Sequence, residues 1–150
     1  MLELLRRHGR HVVIDWPTVN DQDNAAALAW CWNRGQTLCV VEQDVVPSLE
    51  DLVRLELCGR AGVCSQATHC GGNAAAGYDF RVRQPDGSLR WGREGEEWAD
   101  AFPLGCTVFH PDAMRRATVP VERWQQLDTV LSMRLGLRAH IHWPAAEHNH

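Results

Sequence analysis

The sequence contains no lysine, since all fifteen of its basic residues are arginine. Schiff-base enzymes and P-loop nucleotide-binding proteins both depend on a lysine amine, and the motif GxxxxGK(S/T) is also missing, so both classes are excluded. Uniform use of arginine is typical of a GC-rich genome. The net charge of −4 argues against general binding to polyanions, although it leaves room for a local basic patch.

A long apolar run is missing as well. No stretch approaches the roughly 20 apolar residues of a membrane-spanning helix, and the N-terminal MLELLRRHGR has no secretory hydrophobic region. We therefore expect a soluble, cytoplasmic protein without a membrane span. In such a protein the six cysteines are expected to be buried thiols and not disulfides.

Cysteine pairs with CxxC spacing are also absent, which weakens one alternative, a small zinc protein. The residues that suggest this alternative are Cys58, Cys64, His69 and Cys70. Cys64 and Cys70 lie in an apolar, strand-like stretch, and the spacing is not that of common zinc modules. His140 and His142 alternate around Ile141, which is typical of residues in a strand. A zinc protein would contain stoichiometric zinc.

Strand and helix patterns alternate through the first half of the chain. Apolar strand patterns occupy residues 11–17, 37–47 and 61–69, and helix patterns occupy residues 20–35 and 48–59. This order predicts a single-domain α/β fold with a mostly parallel, Rossmann-related sheet flanked by helices. The length of 150 residues and the apolar share of 45% fit one domain with a proper core.

The second half begins with a change in composition. Residues 71–98 are rich in glycine and polar side chains, and they contain a hairpin pattern that turns at Pro85-Asp86-Gly87. We expect a surface excursion or lid here. Residues 102–117 predict a strand and then a helix from Pro111, residues 121–137 predict an amphipathic helix, and a short strand with a histidine-rich tail closes the chain.

Two carboxylates interrupt the apolar strand pattern of residues 37–47. Glu42 and Asp44 stand two residues apart at its far end, so a continuing strand would place them on one face. Ligands bind beyond the carboxyl ends of parallel strands, and paired carboxylates can hold a hard divalent cation together with phosphates. The alternative is an ordinary solvated strand end.

These residues resemble the centre of a GT-A-fold nucleotide-sugar glycosyltransferase. The family motif ARNxG…A is similar to DNAAALAWCWNRG (23–35), with Asn24 at the matching place, and its D-x-D appears as Glu42-Gln43-Asp44, which departs at the first position. The resemblance implies that Asp44 binds the metal, that Glu42 faces the ribose or metal, and that Asn24 belongs to the donor site. Asp15, at the end of the first strand pattern, would contact the uracil or ribose.

The resemblance extends into the second half. The stretch LGCTVFHPDAM (104–114) is similar to the family's glycine-containing strand and helix, which implies that Gly105 shapes the donor pocket. Asp128 matches the second acid of a family acid pair, with Leu127 in place of the first, and would be the general base of an inverting enzyme. A C-terminal histidine, His148 or His150, would complete the Mn²⁺ or Mg²⁺ site.

The resemblance implies a metal-dependent, inverting glycosyltransferase, and an enzyme this small is expected of a bacteriophage or of a compact GC-rich bacterial gene cluster. Its donor would be a UDP-sugar or another nucleotide-diphosphate sugar, and segment 71–98 would be an acceptor lid. The acceptor hydroxyl would belong to a saccharide or, in a phage, to a modified DNA base in the host cytoplasm. A homodimer is compatible with this function. The alternative is a non-catalytic remnant that binds a nucleotide or sugar, which the short N-terminus and Leu127 favour.

Overall fold

The structure is a computed structural model of the 150-residue chain. It describes residues 29, 32–42, 44–58, 60, 62–69, 77–117, 132–133 and 136–148. The predicted strand 11–17 lies outside the described residues, as do most of the predicted helices 20–35 and 121–137. No helix in the described parts of the chain has the length and apolar character needed to cross a membrane.

The described chain is mostly β-structure. Its strands are β1 Leu38–Val41, β2 Val45–Val46, β3 Val63–Thr68, β4 Tyr78–Arg83, β5 Leu89–Gly92, β6 Trp98–Ala99, β7 Cys106–Phe109 and β8 Ala139–His148. The helices within the described ranges that have both ends defined are α1 Leu49–Glu56 and α2 Pro111–Arg116.

The main sheet is mixed, and the prediction of a mostly parallel, helix-flanked α/β sheet is wrong. Its strand order is β1-β7-β3-β8-β2, with β6 also pairing with β8, while β4 and β5 form a separate hairpin. Among the described pairings, β3 with β8 is parallel and the others are antiparallel. The reason is that β7 lies between β1 and β3 and is antiparallel to both. Local sequence patterns do not predict such an insertion.

The strand predicted at residues 37–47 is the clearest local departure. In the structure it is divided into two strands, β1 and β2. β1 lies at one edge of the described sheet and not at its centre. Its residues alternate between half-buried and exposed, as expected for a strand with one face against the core. The fully buried central strand is β3, which the pattern at residues 61–69 predicted as a strand.

Local sequence signals predicted several other elements correctly, although β6 was not predicted and β8, with ten residues, is longer than the short strand expected there. α1 begins after Ser48 with a capping box, in which the Ser48 hydroxyl accepts from the Asp51 N–H at 3.1 Å and the Asp51 carboxylate accepts from the Ser48 N–H at 3.0 Å. The hairpin β4–β5 turns near Gly87, whose φ of 86° suits glycine. α2 begins at Pro111, and the chain at Gly35 has the positive φ of a helix C-terminus.

The core lies on both faces of the main sheet. On one face, α2 covers a cluster that includes Val63, Phe109 and Ile141. On the other face, α1 contributes Leu52 and Leu55 to a cluster with side chains from β2, β3, β7 and β8. β3 is buried between these layers, so polar or sulfur-bearing side chains on it are enclosed by protein.

Candidate functional site

Glu42 and Asp44 lie in a turn between β1 and β2. The Val45 N–H donates to the Glu42 carbonyl at 3.2 Å, and the Glu42 N–H donates to the Gly105 carbonyl at 2.9 Å. The regular strand ends at Val41, so strand periodicity does not determine the direction of the two carboxylates, and that part of the prediction fails. Glu42 is exposed and Asp44 is half-buried.

Gly105 brings the start of β7 close to this turn. A Cβ at Gly105 would lie 3.0 Å from Val45 Cγ2 and 3.6 Å from Glu42 Oε2. The first distance is tighter than an ordinary contact, so a side chain at residue 105 would push the turn away. A glycine therefore permits the observed packing against β7 of the turn that contains Glu42, Asp44 and Val45, here called the acid turn.

The end of β8 runs beside the acid turn. Val45 pairs with His148, and Val46 pairs with Glu147, in an antiparallel ladder. The backbone of the C-terminal segment is therefore next to the acid turn, where the sequence predicts that a histidine joins Asp44. Four other predicted positions, Asp15, Asn24, Asp128 and His150, lie outside the described residues, and their roles stay predictions.

A second cluster of ionisable side chains lies towards the other end of β8. Its members are Cys58, Cys64, His140 and His142, here called the Cys/His cluster, and one ligand atom from each lies within 4.8 Å of the others. The Cys58 sulfur is 3.3 Å from His140 Nδ1, and this nitrogen is 3.1 Å from His142 Nε2.

Strand register explains how these four residues meet. His140 and His142 are two residues apart in β8, so they share a face of the strand. Cys64 of β3 is the direct parallel partner of His140, and Cys58 follows α1, which covers this face of the sheet. The sequence alternative grouped Cys58 and Cys64 correctly. It was wrong about His69, which stacks on Tyr78, and Cys70 lies outside the described residues.

Burial sets the protonation states of the Cys/His cluster. Loss of solvent lowers the pKa of His142 to about 4, and the charge of His140 adds to this effect. Burial also lowers the pKa of His140, so both imidazoles are neutral at neutral pH and can act as ligands. Burial raises the pKa of the Cys64 thiol, and a hydrogen bond with Cys58 raises it further.

Two clefts lie next to these residues. A cleft of about 420 Å³ is lined by Cys58, His140 and His142, with Arg60 and Glu97 also in its wall. A second cleft, of about 590 Å³, lies beside the carboxyl end of β3 and is lined by His69, Tyr78, Glu94, Gly95, Trp143, Pro144 and Ala145. In this second cleft the Tyr78 and Trp143 rings meet edge to face, with centroids 4.6 Å apart.

Comparison with known proteins gives a fold relationship. No family model matches the chain, and no curated protein matches it. Among solved structures it is similar to A197 from STIV, with a TM-score of 0.63 and 15% sequence identity, over 94% of this chain and 73% of that chain. At this identity the similarity shows a shared fold and does not extend to function.

Proposed function

We propose that this chain is a metal-dependent glycosyltransferase that moves a sugar from a nucleotide-diphosphate donor, with UDP-sugars as the first choice, to an acceptor hydroxyl. The observation that carries the proposal is the meeting of three separate segments. The acid turn with Glu42 and Asp44, the glycine at Gly105 and the backbone end of β8 at His148 lie together. The resemblance of the sequence assigns all three segments to the donor site.

The donor set of the acid turn fits a hard divalent cation. Glu42 and Asp44 supply carboxylate oxygens within three residues of one turn, on a part of the surface that water reaches, and such oxygens are the ligands that Mg²⁺ and Mn²⁺ prefer. When bound, the cation would neutralise charge on the leaving diphosphate. Asp44 and Glu42 would hold it, and His148 or His150 would complete its ligand set.

The roles of the other residues follow from their chemistry. Gly105 is buried against the acid turn, and its lack of a side chain lets the Glu42 carboxylate lie close to the start of β7. Asp128 would accept the proton of the acceptor hydroxyl during transfer with inversion, as a positioned carboxylate can. Asn24 and Asp15 would bind the nucleotide part of the donor by hydrogen bonds.

The second cleft, which contains the rings of Tyr78 and Trp143 and is here called the aromatic cleft, is the proposed acceptor site. It adjoins the carboxyl end of β3, and the hairpin segment contributes Tyr78, Glu94 and Gly95 to its wall. Aromatic faces beside a few polar groups are typical of sites that bind small ring-shaped molecules such as sugars. The segment that the sequence predicts as a lid therefore supplies one wall of this cleft.

The proposal is tested by incubating the protein with a panel of UDP- and GDP-sugars, Mn²⁺ and saccharide or hydroxymethylated-DNA acceptors. Mass spectrometry then measures released nucleotide and glycosylated product. We expect release with one donor class and its loss in Asp128→Asn, with Asp112→Asn, an exposed acid on α2, as the control. Nucleotide or sugar binding, measured by calorimetry, without release under any condition would favour the non-catalytic alternative, and no binding of any nucleotide or sugar would overturn both.

A further inference from the structure

We propose that Cys58, Cys64, His140 and His142 bind one Zn²⁺ ion, which fastens β8 to β3 and to the end of α1. The site is separate from the acid turn, since the Cys/His cluster lies near the beginning of β8 and the acid turn adjoins its end. The inference therefore stands or falls without the proposed function.

The distances fit a single tetrahedral ion. Zinc–sulfur bonds of about 2.3 Å and zinc–nitrogen bonds of about 2.0–2.1 Å place neighbouring ligand atoms about 3.4–3.8 Å apart in a tetrahedron. The observed pairs at 3.3 Å for Cys58–His140 and 3.1 Å for His140–His142 are close to that spacing. All pairs lie within 4.8 Å, so no distance would have to change by more than about 1.4 Å to complete the geometry.

The donor set selects the metal and its role. Two thiolates and two imidazoles in tetrahedral geometry are characteristic of zinc, whereas Mg²⁺ and Mn²⁺ prefer carboxylate oxygen. Binding displaces one proton from each thiol, and the two thiolates then balance the charge of Zn²⁺. Four protein ligands leave no open position for water or substrate, so the ion would be structural.

The surroundings of Cys64 disfavour two other uses of these thiols. Cys64 has no exposed surface, whereas a nucleophilic cysteine must be reached by its substrate. No disulfide joins the described cysteines, and Cys58 and Cys64 are free thiols. The buried Cys64 thiol and the half-buried Cys58 thiol face two imidazoles of β8, and one shared ion explains this arrangement most simply.

The test is the zinc content of protein expressed without a histidine tag. Elemental analysis and native mass spectrometry should find one zinc per chain, with the mass of zinc less two protons. In the presence of a limiting amount of chelator, Cys64→Ala and His142→Ala should each lower the amount of bound zinc at least tenfold. The matched controls are Cys106→Ala, a fully buried thiol in the neighbouring strand, and His69→Ala, a half-buried histidine; both should keep full zinc.

A second measurement covers the case in which Cys64→Ala does not fold. Removing zinc from the parent with a chelator should lower its melting temperature by at least about 5 °C, and added zinc should restore it. Cys58→Ala, at the half-buried end of α1, should abolish that response. Zinc-free parent with no response to zinc, bound iron in place of zinc, a Cys58–Cys64 disulfide, or equal zinc in the variants and controls would each overturn the inference.

Discussion

At the scale of single residues, close approach and burial determine which substitutions the fold tolerates. Gly92 in β5 has the ring of Phe80 directly over its Cα, and an added Cβ would lie 2.3 Å from the Phe80 Cζ atom. Gly95, in the loop that follows, has φ of 81° and nothing within 4 Å of the Cβ position. The same residue type is thus required for space at one position and for backbone conformation at the other.

We expect Gly92→Ala to destabilise the protein more than Gly95→Ala. Phe80 is almost fully buried and cannot swing away freely, so the overpacked ring should lower the free energy of unfolding by about 1–3 kcal/mol. Gly95→Ala carries only the strain of a positive φ, about 1–2 kcal/mol at most. Urea unfolding of both variants measures the difference, and equal losses would show that Gly92 of β5 does not pack against the Phe80 ring of β4 as described.

Glu96 should make the stability depend on pH in a defined window. Its carboxylate accepts hydrogen bonds from the Arg90 guanidinium and, at 2.8 Å, from the Arg93 N–H. The hydrogen bond from Arg90, and to a lesser degree the one from the Arg93 backbone, holds the pKa of Glu96 below its usual range. The unfolded-state pKa of Glu96 is near 4.5, and above that pH the ionised carboxylate contributes its full stabilisation to the folded state. This stabilisation is lost as the pH falls through the lower, folded-state pKa.

Glu96→Gln should therefore lower the free energy of unfolding by about 1–2 kcal/mol at pH 7, and the difference from the parent should shrink as the pH falls below about 4.5. Urea titrations across this range measure it. Glu50→Gln is the control, because the Glu50–Arg54 pair on α1 is exposed and contributes little. A difference that is constant with pH would contradict the assigned ion pair.

At the scale of elements, the sequence predicts what is decided locally. The capping box of Ser48 and Asp51, the Pro85-Asp86-Gly87 turn and Pro111 at the start of α2 all act within a few residues, and the elements they define are present. β7 was predicted as a strand, but its insertion between β1 and β3 depends on pairings distant in sequence. That His140 and His142 join Cys58 and Cys64 escaped prediction for the same reason, because it needs the register of β3 against β8.

The end of β8 provides a test at this scale. Deleting residues 147–150 removes the partners of β2, since Glu147 and His148 pair with Val46 and Val45, so we expect a loss of about 1–2 kcal/mol in unfolding free energy. Deleting residues 149–150 keeps these pairs and should be nearly neutral. Loss of donor binding in the shorter deletion would assign the metal ligand to His150, and loss only in the longer one would favour His148.

Unchanged Mn²⁺-dependent donor binding in both deletions would remove the C-terminal histidines from the proposed site. The unfolding measurements separate this outcome from a general loss of structure, because the shorter deletion leaves the β2–β8 ladder in place. Equal stability of the longer deletion and the parent would contradict the β2–β8 pairing itself.

At the scale of the whole molecule, β8 connects two groups of proposed metal ligands that differ in chemistry. Sulfur and imidazole ligands gather at its beginning, and carboxylates of the acid turn lie beside its end. Zinc held at the first group would fix the strand whose far end borders the proposed donor site. The sequence identified Glu42, Asp44 and Gly105 as candidates by resemblance, but which segments meet there depends on the mixed sheet, which it did not predict.

Calorimetric titration of the zinc-saturated protein with UDP tests whether the acid turn binds a nucleotide through a divalent cation. We expect binding with Mn²⁺, at least tenfold weaker binding without it, and loss of the Mn²⁺ effect in Asp44→Asn at unchanged melting temperature. Saturating the protein with zinc beforehand prevents binding of Mn²⁺ at the Cys/His cluster from contributing to the measured heat. UDP binding that is independent of Mn²⁺, or equal in the parent and Asp44→Asn, would contradict the claim.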